Sequence, residues 1–372
     1  MIVKRRRFEN RREQEAEDMN EENFLKETIE KIVPADAAAM ERASVRWNSI
    51  AKPLHSLGKL EDLIIKIAGI QRTDRVDIRK KALVVMCADN GVVEEGVTQT
   101  GQEVTAIVAE NFLKGETSAS IMSVCAGADL FPMDVGMITD VSGLDTRKIL
   151  YGTGNIAKGP AMTQEALYGA LKAGIDRAAE LKKEGYRILA TGEMGIGNTT
   201  SSSAMVSALL QVSPEEVTGR GAGLSDEGLE KKIRAIREAV AVNRPDPEDP
   251  LDVLRKVGGL DIAALTGLFL GGAAEGMPVI ADGFISTAAA LTAVRLAPVC
   301  REYILPSHVS KEPGTKIVLK ELDMDPALHA DMHLGEGTGA VALFPLLDMA
   351  AAVYTGMSTF EDIRIDAYEE LS

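Results

Sequence analysis

The chain has 372 residues, of which 45% are hydrophobic and 26% charged. That length supports one large domain or two ordinary ones, since single cores seldom grow past roughly 250–300 residues, and the composition excludes a disordered, collagen-like or disulfide-stapled chain. Lys and Arg number 41 against 56 Asp and Glu, a net charge of −15, which argues against a nucleic-acid or anionic-membrane partner but leaves room for a small anion in a pocket.

From Lys4 to Lys31 the residues are mostly charged and alternate in sign, with Phe8, Phe24, Leu25, Ile29 and Ile32 at loosely helical spacing. A solvated, partly helical extension is expected there. From Leu83 onward short apolar runs alternate with Gly-bearing turns and with segments of period near 3.6. Strands are expected at Leu83–Cys87, Ile149–Tyr151, Ile188–Ala190, Pro278–Ala281 and Ile317–Leu319, and helices at Gln164–Glu184, Asp226–Val242 and Asp261–Glu275. This alternation predicts an α/β fold, a parallel sheet covered by helices on both faces. Asn243–Pro250, with three prolines, reads as a surface loop.

Met1 to Arg12 is basic with no apolar stretch behind it, and the most apolar stretches, Ile262–Ala274 and Gly337–Leu347, fall short of a bilayer span. Cys87, Cys125 and Cys300 lie far apart without a CxxC pair, so a soluble, cytoplasmic protein without a disulfide framework is expected. The histidines His55, His308, His329 and His333 show no metal-ligand spacing, so no metal is expected.

In open parallel sheets, ligands collect where turns expose backbone N–H groups at the carboxyl ends of strands. The densest such turn is Thr191-Gly192-Glu193-Met194-Gly195-Ile196-Gly197-Asn198-Thr199-Thr200. It reads either as a structural turn with an ordinary N-cap or as a cradle for a phosphate or carboxylate. No Lys follows the glycines, so it is not a P-loop. Thr218-Gly219-Arg220-Gly221-Ala222-Gly223 leads to Lys231 and Lys232, and Leu334-Gly335-Glu336-Gly337-Thr338-Gly339 opens the apolar C-terminal segment. Glycines do nothing to shield a carboxylate between them, so Glu193 and Glu336 are either solvated loop residues or groups that a ligand approaches closely. Pro278 to Thr287 carries Asp282 followed by hydroxyl residues, a partial match to the ribose and magnesium motif of pyrophosphate-dependent phosphoribosyltransferases. Gly283 stands where that motif has a second acid.

In order along the chain, Lys52-Pro53, Ser56 to Glu61, Ala88-Asp89-Asn90-Gly91-Val92, Glu95-Gly96-Val97, Gly192 to Thr200, Gly219 to Gly223, Asp282-Gly283-Phe284, Ser307-His308 with Ser310, and Leu334 to Ala340 resemble the nicotinate-nucleotide:dimethylbenzimidazole phosphoribosyltransferase family. The resemblance implies transfer of phosphoribose from nicotinate mononucleotide to 5,6-dimethylbenzimidazole, without a cofactor, in a homodimer. It also implies a Rossmann-like fold with a small helical domain built from both chain ends. On that basis the chain divides into an extension (1–34), a small helical domain (35–80 with 341–372) and a large catalytic domain (81–340). By motif position Glu336 corresponds to the general base and Glu193 to the second acid of the site. Gly195, Gly221, Lys232 and Ser310 fall where the family binds phosphate and ribose, and Gln102 where it lines the base pocket. Asp89, Asn198 and Gly335 complete the expected substrate-binding set. His55, Asn90 and His333 depart from the family pattern, which leaves the acceptor open to related azoles, purines or phenolics.

Overall fold

The computed structural model describes residues 22–368. At its centre is a six-stranded sheet in the order β3-β2-β1-β4-β5-β6, with every pairing parallel. The strands are β1 (Lys81–Ala88), β2 (Ala128–Gly136), β3 (Asp145–Thr146), β4 (Ile188–Met194), β5 (Val279–Ala281) and β6 (Ile304–Pro306). Every residue of β1 is buried, as a central strand covered on both faces requires. Its side chains divide by alternation. Ala82, Val84, Met86 and Ala88 join one apolar cluster, and Leu83, Val85 and Cys87 join another.

The first cluster is built with the helices Gln164–Lys183, Leu260–Ala274 and Phe284–Leu296. Two of these approach very closely. A Cβ on Gly267 would lie 2.0 Å from the Leu171 carbonyl, and one on Gly174 would lie 1.9 Å from that of Ala264, so backbone packs on backbone. The second cluster is built with Lys59–Gln71, Ser118–Ala126 and Thr338–Gly356. Thr338–Gly356 is long and apolar enough to cross a membrane by length and composition. Here Val341, Leu343, Phe344 and Leu347 bury one side of it in the core.

The three expected helices end within a residue of Gln164–Lys183, Asp226–Asn243 and Leu260–Ala274, because Thr163 and Ser225 cap the first two at their N-termini. Two strand expectations are corrected. Ile317–Leu319 lies inside the helix Pro313–Glu321; a three-residue apolar run carries no period, and Pro313 at the first turn starts a helix. Ile149–Tyr151 is irregular. It follows β2 through isolated hydrogen bonds, such as Ile149 N–H to the Val135 carbonyl at 3.1 Å, while the edge strand proper is β3. Strand β2 escaped the reading because Asp129, Pro132 and Asp134 interrupt its apolar pattern. β3 pairs with it only at Met133 and Asp134, so at Pro132 the missing N–H faces a sheet edge.

The charged extension also differs from expectation. Residues 22–30 are helical, but Leu25, Thr28 and Ile32 are buried and Phe24 meets Tyr168 edge-on at 6.3 Å. Phe8 lies outside the described residues.

Candidate active site

The chain leaves β1 toward β2 on one side of the sheet and, later, leaves β4 toward β5 on the other. Between β1 and β4 the strand order therefore reverses, and in doubly wound sheets the crevice beyond the carboxyl ends at that point receives the ligand. A cleft lies there, lined by the turns after β4 and β5, by Gln99 and its neighbours, and by the loops around Gly221, Ser310 and Glu336.

Glu336 sits in an unusual stretch of backbone. Gly335, Glu336 and Gly337 have φ of 88°, 59° and 84°, a left-handed run that a non-glycine residue adopts at a cost. A Cβ on Gly337 would lie 2.4 Å from Leu83 Cδ1, so only glycine lets this loop rest on the sheet. Asp282 holds it in place. Its Oδ2 accepts from Gly337 N–H at 3.2 Å and its Oδ1 from Ala340 N–H at 3.0 Å, a carboxylate at the N-terminus of Thr338–Gly356. The Glu336 side chain is half-buried, and its Oε2 accepts from Ala119 N–H at 3.4 Å. Burial raises its pKa, and Asp282 adds to the rise.

Glu193, on β4, is buried. The Asn198 amide donates one bond to Glu193 Oε2 and another, at 2.9 Å, to Oδ2 of the fully buried Asp261. Burial pushes Asp261 up to about 7. Glu193 is raised well above the usual carboxylate range by burial, and Asp261, Asp282 and Glu336 add to it. Glu193 is thus disfavoured in its charged form by three neighbouring carboxyls. A cationic ligand would relieve that.

Another set of residues lining the cleft is suited to an anion. Lys232 is 1% exposed and donates to Thr199 Oγ1 at 2.8 Å. Burial lowers its pKa to about 8. Gly195, Gly197, Gly221 and Ser310 line the same space.

Of the expected residues, Glu193, Gly195, Asn198, Gly221, Lys232, Ser310, Gly335 and Glu336 all line this cleft. Asp89 and Gln102 lie beside it. Asp89 is fully buried and accepts from Ile138 N–H at 2.8 Å, while Gln102 donates to the Asn90 carbonyl at 3.1 Å. Asn90 itself is buried and accepts from the Ser201 hydroxyl at 2.8 Å. His333 is exposed at the cleft rim, its Nδ1 2.8 Å from the Asp331 carbonyl. Lys52 and Glu61 form a buried ion pair at 2.6 Å. Sequence reasoning placed Thr199 in the anion cradle but missed Asp261 and Glu312. Asp261 was read only as the start of an apolar helix, and nothing local marks Glu312 except its place two residues after Ser310.

Sheet order and cleft together define the class, an α/β enzyme that handles a nucleotide or a ligand like one. Residues 32–365 match the DBI_PRT family, described as phosphoribosyltransferase. The chain is 48% identical over 349 residues to the nicotinate-nucleotide–dimethylbenzimidazole phosphoribosyltransferase of Ruminiclostridium cellulolyticum, covering 93% of this chain and 99% of that one. It is 47% identical over 348 residues to the Acetivibrio thermocellus protein of the same name, with 93% and 99% covered. The crystal structure of CobT from Thermus thermophilus superposes with a TM-score of 0.85 at 40% identity, covering 89% of this chain and all of that one. The chain belongs to the nicotinate-nucleotide–dimethylbenzimidazole phosphoribosyltransferase family.

Proposed function

We propose that the chain transfers phosphoribose from nicotinate mononucleotide to 5,6-dimethylbenzimidazole or a closely related base, giving the α-ribonucleotide of that base and nicotinate. The observation that carries this reading is that one cleft is lined both by the buried Lys232 with its glycine loops and by the carboxylates of Glu193 and Glu336. Nicotinate mononucleotide offers matching groups, a phosphate anion and a positively charged ring nitrogen bonded to C1′.

The leaving group is already positive at its ring nitrogen, so it departs without a proton donor. The incoming azole must lose its ring N–H, and Glu336 is assigned to accept that proton. Its pKa, raised by burial, suits a base working near neutral pH. Attack opposite the leaving group converts a β-nucleotide into an α-nucleotide. Glu193, as a carboxylate, stands to stabilise the oxocarbenium-like transition state, whose positive charge favours its ionised form. Lys232, Thr199 and the glycine N–H groups would hold the phosphate and so position C1′. The magnesium-dependent alternative is less favoured, because Gly283 stands where its motif has a second acid and Asp282 is already engaged by two backbone N–H groups.

The test is nicotinate release from nicotinate mononucleotide, with dimethylbenzimidazole supplied in EDTA, by the wild type and Glu336→Gln. We expect the variant to lose about 10²–10⁴ in kcat with little change in KM. Undiminished turnover would remove Glu336 from the mechanism, and absence of product with any azole or phenol would remove the reaction.

The working form is proposed to be a cytoplasmic homodimer. Ile107, Ile121 and Val124 are exposed on the helices Glu103–Lys114 and Ser118–Ala126, which also reach the cleft through Val108 and the Ala119 N–H. A second copy covering those apolar residues would brace the site. Cys87, Cys125 and Cys300 carry free thiols, in keeping with a reducing compartment.

A further inference from the structure

The loop that lines the cleft beside Lys232 already holds one of the protein's own carboxylates. Glu312 precedes the helix Pro313–Glu321 without capping it. Its side chain instead crosses to the glycine loop, where Oε1 accepts from Gly221 N–H at 3.1 Å. The carboxylate rests directly on that loop, since a Cβ on Gly219 would lie 2.0 Å from Oε2. Oε2 itself is buried with no hydrogen-bond partner. Glu312 is also near enough to Lys232 to raise that lysine's pKa against the effect of burial.

Gly221 N–H and the Lys232 ammonium are the groups assigned above to the nucleotide phosphate. One backbone donor does not serve two anions at full strength, and a phosphate dianion arriving beside a desolvated carboxylate is repelled. We propose that Glu312 is an internal competitor for the phosphate: it occupies the phosphate handle in the ligand-free protein and is displaced when the nucleotide binds. Until then it gives the buried Lys232 a counter-charge. The contact costs every phosphate ligand alike. Inorganic phosphate has only the handle with which to displace the carboxylate, whereas the nucleotide adds the binding energy of its ribose and ring. The inference rests on the phosphoribosyl-transfer reading for the identity of its ligand.

The experiment is calorimetric titration of wild type, Glu312→Gln and Glu312→Ala with inorganic phosphate, nicotinate mononucleotide and nicotinate riboside. Both variants are expected to bind phosphate and the mononucleotide about tenfold tighter, with the riboside changed by less than about twofold. Gln keeps the size and hydrogen-bonding shape of Glu, and Ala empties the contact, so the pair separates loss of charge from loss of packing. Equal or weaker binding of the mononucleotide by the variants would overturn the competitor role while leaving the transfer reaction standing. No binding of the mononucleotide to the wild type would overturn both.

Discussion

Lys232 shows how one buried charge produces two opposite pH effects. Burial lowers its pKa to about 8, whereas a lysine in the unfolded chain titrates near 10.4. Between those values the unfolded chain binds the extra proton, so this residue's contribution to stability rises with pH across that window. Ligand binding runs the other way, because the phosphate needs the ammonium. We expect nicotinate mononucleotide affinity to fall about tenfold for each pH unit above 8 in the wild type, with a much flatter profile in Lys232→Met. Titration at several pH values checks it, and parallel profiles would take Lys232 out of phosphate binding. Glu336 and Glu193 follow the same physics with the sign for acids. Burial and their acidic neighbours raise both, so each keeps its proton to a higher pH until a cation arrives.

Among the elements, the helix Thr338–Gly356 matters most, because its N-terminus carries Glu336 into the cleft. Asp282 fixes that end through Gly337 and Ala340. Replacing it by Ala leaves two buried N–H groups without an acceptor, a loss of about 1–3 kcal/mol. Because the same contact orients Glu336, kcat is expected to fall well beyond what unfolding accounts for; urea denaturation and turnover measured together separate the two. On the opposite face, the pair Gln164–Lys183 and Leu260–Ala274 depends on glycine at its crossing. Gly267→Ala would drive a methyl into the Leu171 carbonyl and cost about 1–3 kcal/mol, read as a lower urea midpoint at unchanged m-value. A neutral effect would mean that the helices separate easily.

Over the whole molecule, the doubly wound order places the turns after β1 and β4 on either side of one crevice. The apolar surface on the helices that reach that crevice is the basis on which a dimer is proposed. Val124 is 81% exposed, so Val124→Glu should leave the folded subunit intact. We expect it to shift the mass from light scattering toward the monomer, and a monomeric wild type would dismiss the dimer.

The sequence by itself determined the helices with capped ends and a clear 3.6 period, the Gly-rich turns and the acids within them, because these signals are local. Caps, glycine placement and periodicity are properties of neighbouring residues. It also pointed to the ordered motifs that tie the chain to its family. Tertiary structure decided the rest. It showed Ile317–Leu319 to be helical and extended the sheet by β2, β3 and β6, since pairing partners lie far along the chain. It drew Leu25 and Ile32 of a charged segment into the core. It brought Asp261 to Glu193 through one shared amide and Glu312 to Gly221, residues dozens of positions apart. Only the folded sheet brings those groups within hydrogen-bond reach, and burial there is what moves their charge.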